Sequence, residues 1–199
     1  MRVVRREIDF RIVHSEATSR SAISRRRGKT NNMVETSDIL AEKIWSVLGE
    51  VNDPEVPVLS VTDLGIIRQV TVRDKAVELV ITPTYSGCPA MDVIRMSIRM
   101  ALIEQGFGPV TIITALSPAW TTDWMSENGK AKLREYGIAP PTPVQSVCHP
   151  ALFHREEAIC CPRCHSYHTS MISEFGSTAC KALYRCEDCR EPFDYFKCH

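Results

Sequence analysis

The sequence predicts an α+β fold: a small α-β-β-α-β-α domain with its helices on one face of a short sheet, followed by a C-terminal module built on cysteines. Helical and β-type apolar patterns alternate between residues 37 and 138, as expected for helices packed on one sheet face. Three prolines then fall within positions 140–143. Two Cys-x2-Cys pairs lie beyond these prolines, which indicates a separate module.

Composition limits the classes of function. The 199 residues have an ordinary apolar content of 44%, which allows one domain and a small module. No run of about 18 apolar residues occurs, so we expect no membrane partner. The net charge is zero, but the first 31 residues carry nine Lys or Arg against three acidic residues, and the remainder has 15 basic against 21 acidic residues. A mildly acidic body argues against nucleic acid as the main partner.

The cysteine content indicates the compartment. The chain contains nine cysteines, and its first residues lack the apolar segment of a signal peptide. Thiols in a reducing compartment serve as ligands or nucleophiles rather than as disulfides. We therefore expect a cytoplasmic protein.

Residues 1–36 differ from the rest of the chain. They are rich in Arg, Ser and Thr and show no sustained apolar periodicity, so they are expected to form a disordered basic tail. A true translation start at Met33, which would leave residues 1–32 untranslated, is the simplest explanation of this composition.

The first domain is expected over residues 37–138. Ser37 and Asp38 offer an N-cap for an amphipathic helix, and two β-type runs, residues 66–73 and 76–82, then form a hairpin. A second helix opens at Pro89 and has a buried face. A third strand at 110–116 and a short helix capped by Ser126 complete the domain.

The turn between the hairpin and the second helix, Thr82 to Pro89, contains Cys88. Proline is favoured at the first position of a helix, so Pro89 would place Cys88 at the N-cap. Free backbone N–H groups and the helix dipole would then lower the pKa of the thiol. This makes Cys88 a candidate nucleophile or metal ligand. The alternative is a cysteine that only packs at the turn.

Trp120 and Trp124 lie in a polar loop after the third strand. Exposed aromatic residues often anchor a partner. The simpler interpretation is that both tryptophans cover the open end of the sheet.

A Pro-rich linker is expected over residues 139–157 and a zinc ribbon over residues 158–199. Cys161, Cys164, Cys186 and Cys189 form two knuckles that 21 residues separate. Four thiolates complete a tetrahedral Zn²⁺ shell with no open position, so this zinc would be structural. Iron in the same shell is the rival. Further cysteines have no role assigned from the sequence: Cys148, Cys160, Cys180 and Cys198.

These motifs resemble known families. Asp53-Pro54-Glu55, Asp63-Leu64-Gly65 and the turn at Thr84–Pro89 are similar to the small domain of SufT-type iron–sulfur maturation factors. The segments Pro118 to Met125 and Ile172 to Cys186 are similar to the D subunits of the bacterial phenylacetyl-CoA ring-epoxidising oxygenase. The resemblance extends from about residue 38 to the end of the chain, and only the basic tail falls outside it.

The resemblance implies an accessory protein of aerobic phenylacetate degradation that matures or inserts an iron or iron–sulfur centre and does not itself oxidise the substrate. It implies that Cys88 is the functional thiol, and that the other oxygenase subunits, especially the iron–sulfur reductase component, are partners. Cys88 supplies one ligand, so a transient cluster would need Asp53, Glu55, a small thiol or the Cys88 of a second chain in a homodimer.

Three rival interpretations remain. One is a thiol enzyme with Cys88 as nucleophile, which is weakened because no histidine within the domain is placed to act as its base. Another is a purely structural component of the oxygenase. The last is a ribbon that binds nucleic acid, which is weakened because acidic residues roughly balance the basic residues of the ribbon.

Overall fold

A four-stranded sheet in the order β1-β2-β3-β4 carries the first domain of the computed structural model, which describes residues 9–12, 31–73, 75–141 and 159–197. The strands are β1 (Asp9–Ile12), β2 (Ile67–Arg73), β3 (Ala76–Ile81) and β4 (Val110–Thr114). β2 and β3 form the predicted antiparallel hairpin, while β1 pairs with β2 and β4 with β3 in parallel. The α+β class is confirmed.

The helices of this domain are α1 (Asn31–Gly49), α2 (Met91–Glu104) and α3 (Glu127–Tyr136). α1 contacts α2, and α2 contacts β4. The inward residues of β3 alternate with outward ones, so that Val77, Leu79 and Ile81 are buried while Glu78 is exposed. They join the apolar faces of α1 and α2 in one hydrophobic core.

The structure differs from the prediction in the first 36 residues. A strand at Asp9–Ile12 and a helix that begins at Asn31 replace part of the expected disordered tail. The physical reason for the strand is the open edge of β2, whose backbone groups accept a parallel partner along the whole of β1. The rest of the tail through residue 30 lies outside the described residues.

The C-terminal module is a second four-stranded sheet in the order β5-β8-β7-β6. Its strands are β5 (Ile138–Ala139), β6 (Thr169–Ser173), β7 (Lys181–Cys186) and β8 (Pro192–Phe196). β6, β7 and β8 form an antiparallel meander, and β5 adds to β8 in parallel. β5 directly follows α3 in the sequence. The sheet of the module therefore begins within the residues expected for the first domain, before the prolines.

The predicted separation of the two cores is therefore incomplete. Cys180 and Phe196 of the module are buried in the main core. The ring centroid of Phe196 lies 6.1 Å from that of Trp120 in an edge-to-face arrangement. A smaller second cluster, which includes Ile159 and Phe193, fills the module itself. The two parts pack against each other, while residues 142–157 of the expected linker and residue 158 of the expected ribbon lie outside the described residues. No helix in the described part of the chain is long and apolar enough to span a membrane.

Candidate functional site

The turn after β3 places Cys88 at the edge of the core. The Cys88 N–H donates to the Tyr85 carbonyl at 3.3 Å, and the Met91 N–H donates to the Cys88 carbonyl at 3.4 Å. These bonds close a separate turn, so α2 starts only at Met91 with Ala90 as its N-cap. The prediction that Cys88 occupies the N-cap is wrong by two positions. Its side chain is half-buried and packs against the core.

The thiol of Cys88 is protonated near neutral pH. Burial raises its pKa, the Ala90 N–H lowers it, and the nearby Glu55, Asp53 and Cys180 raise it further, to about 11. The prediction of a lowered pKa is therefore wrong. A half-buried sulfur surrounded by acidic groups disfavours the thiolate more strongly than one backbone N–H favours it.

Asp53 and Glu55 lie on the acidic side of this site. One carboxylate oxygen of Asp53 accepts the backbone N–H groups of Glu55 at 2.7 Å and Val56 at 3.0 Å, which fixes the turn at Pro54. Burial raises the pKa of Asp53 despite these bonds. Burial and the charge of Asp53 raise the pKa of Glu55, whose side chain remains partly open to solvent. The charges of both carboxylates raise the pKa of Cys88, and their role as its co-ligands stays a prediction.

Two residues of the module, neither predicted from the sequence to lie here, complete the surroundings. Cys180 is buried, and its sulfur lies 3.9 Å from a carboxylate oxygen of Glu55. Lys181 is also buried, and its ammonium group lies 3.3 Å from Asp194. The charge of Lys181 lowers the pKa values of Asp53, Glu55 and Cys180. The available signal was that Cys180 lies inside the ribbon yet outside both Cys-x2-Cys pairs.

A cavity of about 220 Å³ adjoins the same turn. Its lining includes the turn residues Thr82–Ser86 and the buried Trp120. The hydroxyl of Thr82 is fully buried and has no hydrogen-bond partner among the described residues. Trp120 closes one side, since its indole N–H donates to the Leu64 carbonyl at 2.9 Å. Trp120 is thus a buried packing residue, as the simpler interpretation predicts.

Asp63 holds the segment that carries Leu64. Its carboxylate accepts hydrogen bonds from Ser126 at 2.7 Å, Asn128 at 3.2 Å and Lys132 at 2.6 Å. Burial alone would raise the pKa of Asp63, but these bonds together lower it to about 2. The Asp63-Leu64-Gly65 motif therefore ties α3 and the tryptophan loop to the hairpin.

The four predicted zinc ligands meet at one end of the module. The sulfur atoms of Cys161, Cys164, Cys186 and Cys189 all lie within 4.8 Å of one another. The Cys161–Cys189 and Cys164–Cys186 sulfur distances are 3.8 and 3.4 Å. Tetrahedral Zn²⁺ with Zn–S bonds of about 2.3 Å needs sulfur separations of about 3.8 Å, so the four thiols fit zinc. The shell has no open position, and zinc here is structural.

The family comparisons agree with both parts of the chain. Residues 41–111 match the family model described as iron-sulfur cluster assembly protein, and residues 146–197 match that of the PaaD zinc beta ribbon domain. The putative D subunit of 1,2-phenylacetyl-CoA epoxidase from Escherichia coli (strain K12) is 54% identical over 156 residues, which cover 78% of this chain and 92% of that protein.

Two further proteins resemble the first domain. The Fe-S protein maturation auxiliary factor of Porphyromonas gingivalis is 39% identical over 94 residues, which cover 46% of this chain and 89% of that protein. Among solved structures, a domain of unknown function (DUF59) from Bacillus anthracis is 23% identical, with a TM-score of 0.46, over 48% of this chain and 92% of that one.

Proposed function

Because the chain belongs to the family of the putative D subunit of 1,2-phenylacetyl-CoA epoxidase, we propose that it is an accessory protein that matures or inserts an iron or iron–sulfur centre of that oxygenase system. One observation carries the proposal. The domain that matches the iron–sulfur cluster assembly family holds a half-buried thiol, Cys88, whose pKa is raised by burial and by the charges of two carboxylates, Glu55 and Asp53.

Cys88 is the residue that receives the metal. Its thiol is protonated in the metal-free protein, and an incoming cation exchanges for that proton. Such a thiol binds a metal ion when it loses its proton and releases the ion when it is protonated again. This behaviour suits a metal that only passes through the site. Glu55 and Asp53 supply the acidic surroundings that attract the cation. A second chain's Cys88 or a small thiol is an alternative source of further ligands.

The zinc ribbon keeps its own metal and contributes the docking surface. The partners are the other subunits of the oxygenase system, and we propose the iron–sulfur reductase component as the client that receives the centre. The protein acts in the cytoplasm. It binds neither nucleic acid nor membranes in this role.

The test replaces Cys88 by Ser in cells that depend on the pathway. The expected result is normal amounts of the oxygenase components, an underfilled metal centre and no growth on phenylacetate. Cys160→Ser is the matched control, because Cys160 is a partly exposed cysteine of the module outside the site. Fully metallated, active oxygenase in the Cys88→Ser cells would refute the role of Cys88.

The thiol-enzyme alternative receives less support from the site. A nucleophilic cysteine works as a thiolate with a positioned base. The pKa of Cys88 is raised to about 11 by burial and its acidic neighbours. The two histidines in the described part of the chain, His165 and His168, lie in the ribbon, where His168 contacts Asp188. The purely structural alternative predicts that Cys88→Ser cells assemble a fully metallated oxygenase.

A further inference from the structure

Helix α2 carries large apolar side chains on two opposite sides. The inward side buries four residues in the main core: Met91, Ile94, Ile98 and Leu102. Because successive residues of a helix are rotated by about 100°, four further apolar residues point away from that core. All four are exposed: Val93 (53%), Met96 (53%), Met100 (55%) and Ile103 (53%). We call these four residues the outer stripe of α2.

The outer stripe is a surface for a partner. Single exposed apolar residues are common on proteins, whereas a contiguous apolar patch marks an interaction site. The outer stripe runs along nearly the whole of α2, which spans Met91–Glu104. A helix that is apolar on both sides is normally buried on both sides. The inward side of α2 is buried within the chain, so the outer stripe is expected to be covered by another molecule.

The spacing of the outer stripe fits a second helix. Its members follow one another at intervals of three, four and three residues, from Val93 to Ile103. This alternation produces a narrow apolar seam along which two helices pack over their length. The two methionines have flexible side chains, which adapt to the surface that they meet.

Two charged residues on the flanks of the outer stripe select the partner. Arg99 lies on one flank and Glu104 on the other. When two copies of α2 lie parallel, these positions meet across the seam, so that Arg99 of each copy faces the partner's Glu104. Neither residue forms an ion pair within the described part of the chain, whereas Arg95 is already bound to Asp92. Antiparallel helices would instead place Arg99 beside the partner's Arg99, and like charges repel.

We propose that the outer stripe of α2 is a self-association surface, on which a second copy of this chain packs its own α2 in parallel. The inference goes beyond the proposed metal role and does not depend on it. Parallel packing places the two Cys88 turns, which precede α2, at the same end of the dimer. α2 has 14 residues and is therefore about 21 Å long, so the contact is small and its dissociation constant should be micromolar.

The test measures the mass of the full-length, zinc-loaded protein by sedimentation equilibrium at micromolar concentrations under reducing conditions, which exclude disulfide-linked dimers. The wild-type protein should change from monomer to dimer as its concentration rises. Met96→Glu places a charge in the seam and should stay monomeric with an unchanged unfolding midpoint, because Met96 is half exposed in the single chain. Met171→Glu is the matched control. Met171 of β6 is also 53% exposed, and this variant should dimerise like the wild type.

The two flanking charges test the orientation of the helices. Arg99→Glu and Glu104→Arg each bring like charges together in the parallel dimer, and each should raise the dissociation constant by about tenfold. A mixture of the two variants should form a heterodimer about as tight as the wild-type dimer, because both contacts then join opposite charges. Unchanged dimerisation of Glu104→Arg would overturn the parallel arrangement.

Three results would overturn the self-association surface itself. One is a wild-type protein that stays monomeric at every concentration. Another is a dimer that Met171→Glu disrupts and Met96→Glu does not. The last is a monomeric wild-type protein that binds a purified subunit of the oxygenase and loses this binding in Met96→Glu, because the outer stripe would then belong to that subunit.

Discussion

The ring of Phe196, the last residue of β8, meets the ring of Trp120 edge to face with their centroids 6.1 Å apart. Both residues are almost fully buried. This contact joins the ribbon to the loop that closes the first domain. We predict that Phe196→Ala lowers the free energy of unfolding by about 3–5 kcal/mol, measured by urea denaturation. Phe175→Ala is the matched control, because Phe175 is 58% exposed and contacts Lys197, and it should cost less than about 1 kcal/mol. Equal losses in both variants would contradict the docking contact.

Removal of the zinc should weaken the protection of Trp120 from solvent. Cys186→Ser leaves three thiols, and we expect it to lose the single zinc and to loosen the ribbon. The indole N–H of Trp120, which donates to Leu64, should then exchange with solvent faster than in the wild-type protein, while the circular dichroism of the helices stays largely unchanged. Proton exchange followed by NMR measures this. An indole proton equally protected in both proteins would show that the ribbon and the first domain fold independently.

Gly65 allows a close backbone approach that no other residue tolerates. Its φ is +67°, and an added Cβ would lie 2.0 Å from the Trp124 carbonyl oxygen. We predict that Gly65→Ala destabilises the protein by more than about 3 kcal/mol, because it combines steric clash with backbone strain. Gly106→Ala separates the two effects: its φ is +83°, but nothing lies within 4 Å, so it should cost about 1–2 kcal/mol. Urea denaturation of both variants measures the two losses in unfolding free energy. Similar losses would contradict the predicted clash.

Asp63 should stabilise the fold in a pH-dependent way. Its hydrogen bonds hold its pKa at about 2, below the value of about 3.9 in an unfolded chain. The ionised carboxylate therefore stabilises the protein fully above about pH 5, and this contribution is lost as the pH falls towards 2. Asp63→Asn should cost at most about 2 kcal/mol near neutral pH.

The measurement is the gap in unfolding free energy between the wild type and Asp63→Asn across the pH range. It should be constant above about pH 5 and narrow below about pH 4. Loss of zinc in acid affects both proteins alike, so the comparison remains valid. A gap that does not change with pH would mean that the hydrogen bonds of Asp63 do not lower its pKa in the folded protein.

Cys88 should alkylate slowly. With its pKa near 11, a very small share of the thiol is ionised at pH 7, and the thiolate is the reactive form. Iodoacetamide should therefore label Cys88 more slowly than the partly exposed Cys160, and the rate should rise steadily with pH up to about 11. Mass spectrometry of quenched samples gives both rates. Rapid labelling of Cys88 at neutral pH would restore the thiol-enzyme interpretation.

The sequence pattern predicted the elements that depend on local spacing. Two Cys-x2-Cys pairs are enough to predict the four-sulfur cluster, and apolar periodicity predicts that α2 buries Ile94 and Ile98. The hairpin of β2 and β3 follows in the same way from two β-type runs joined by a short turn. In each case the residues that interact lie close in the sequence or repeat at a fixed period.

The remaining features depend on contacts between distant segments. Local spacing does not show that Cys180 meets Glu55, because that contact needs the ribbon to dock on the first domain. The direction of the Cys88 pKa was missed for the same reason, since burial against the core raises it first, and Glu55, Asp53 and Cys180 then raise it across space. Met96 and Met100 of α2 are about half exposed, and they are not among the buried residues of that helix, which include Ile94 and Ile98.

β7 runs from Lys181, beside the first domain, to Cys186 in the zinc shell. In a cell that lacks zinc, the ribbon strands would therefore lose the metal that holds them together at the Cys186 end. The rings of Phe196 and Trp120 would then become exposed to solvent. Exposed aromatic surface of this kind is recognised by proteases and chaperones. The amount of folded protein would then depend on the supply of zinc. The proposed handling of iron would therefore also depend on the supply of zinc.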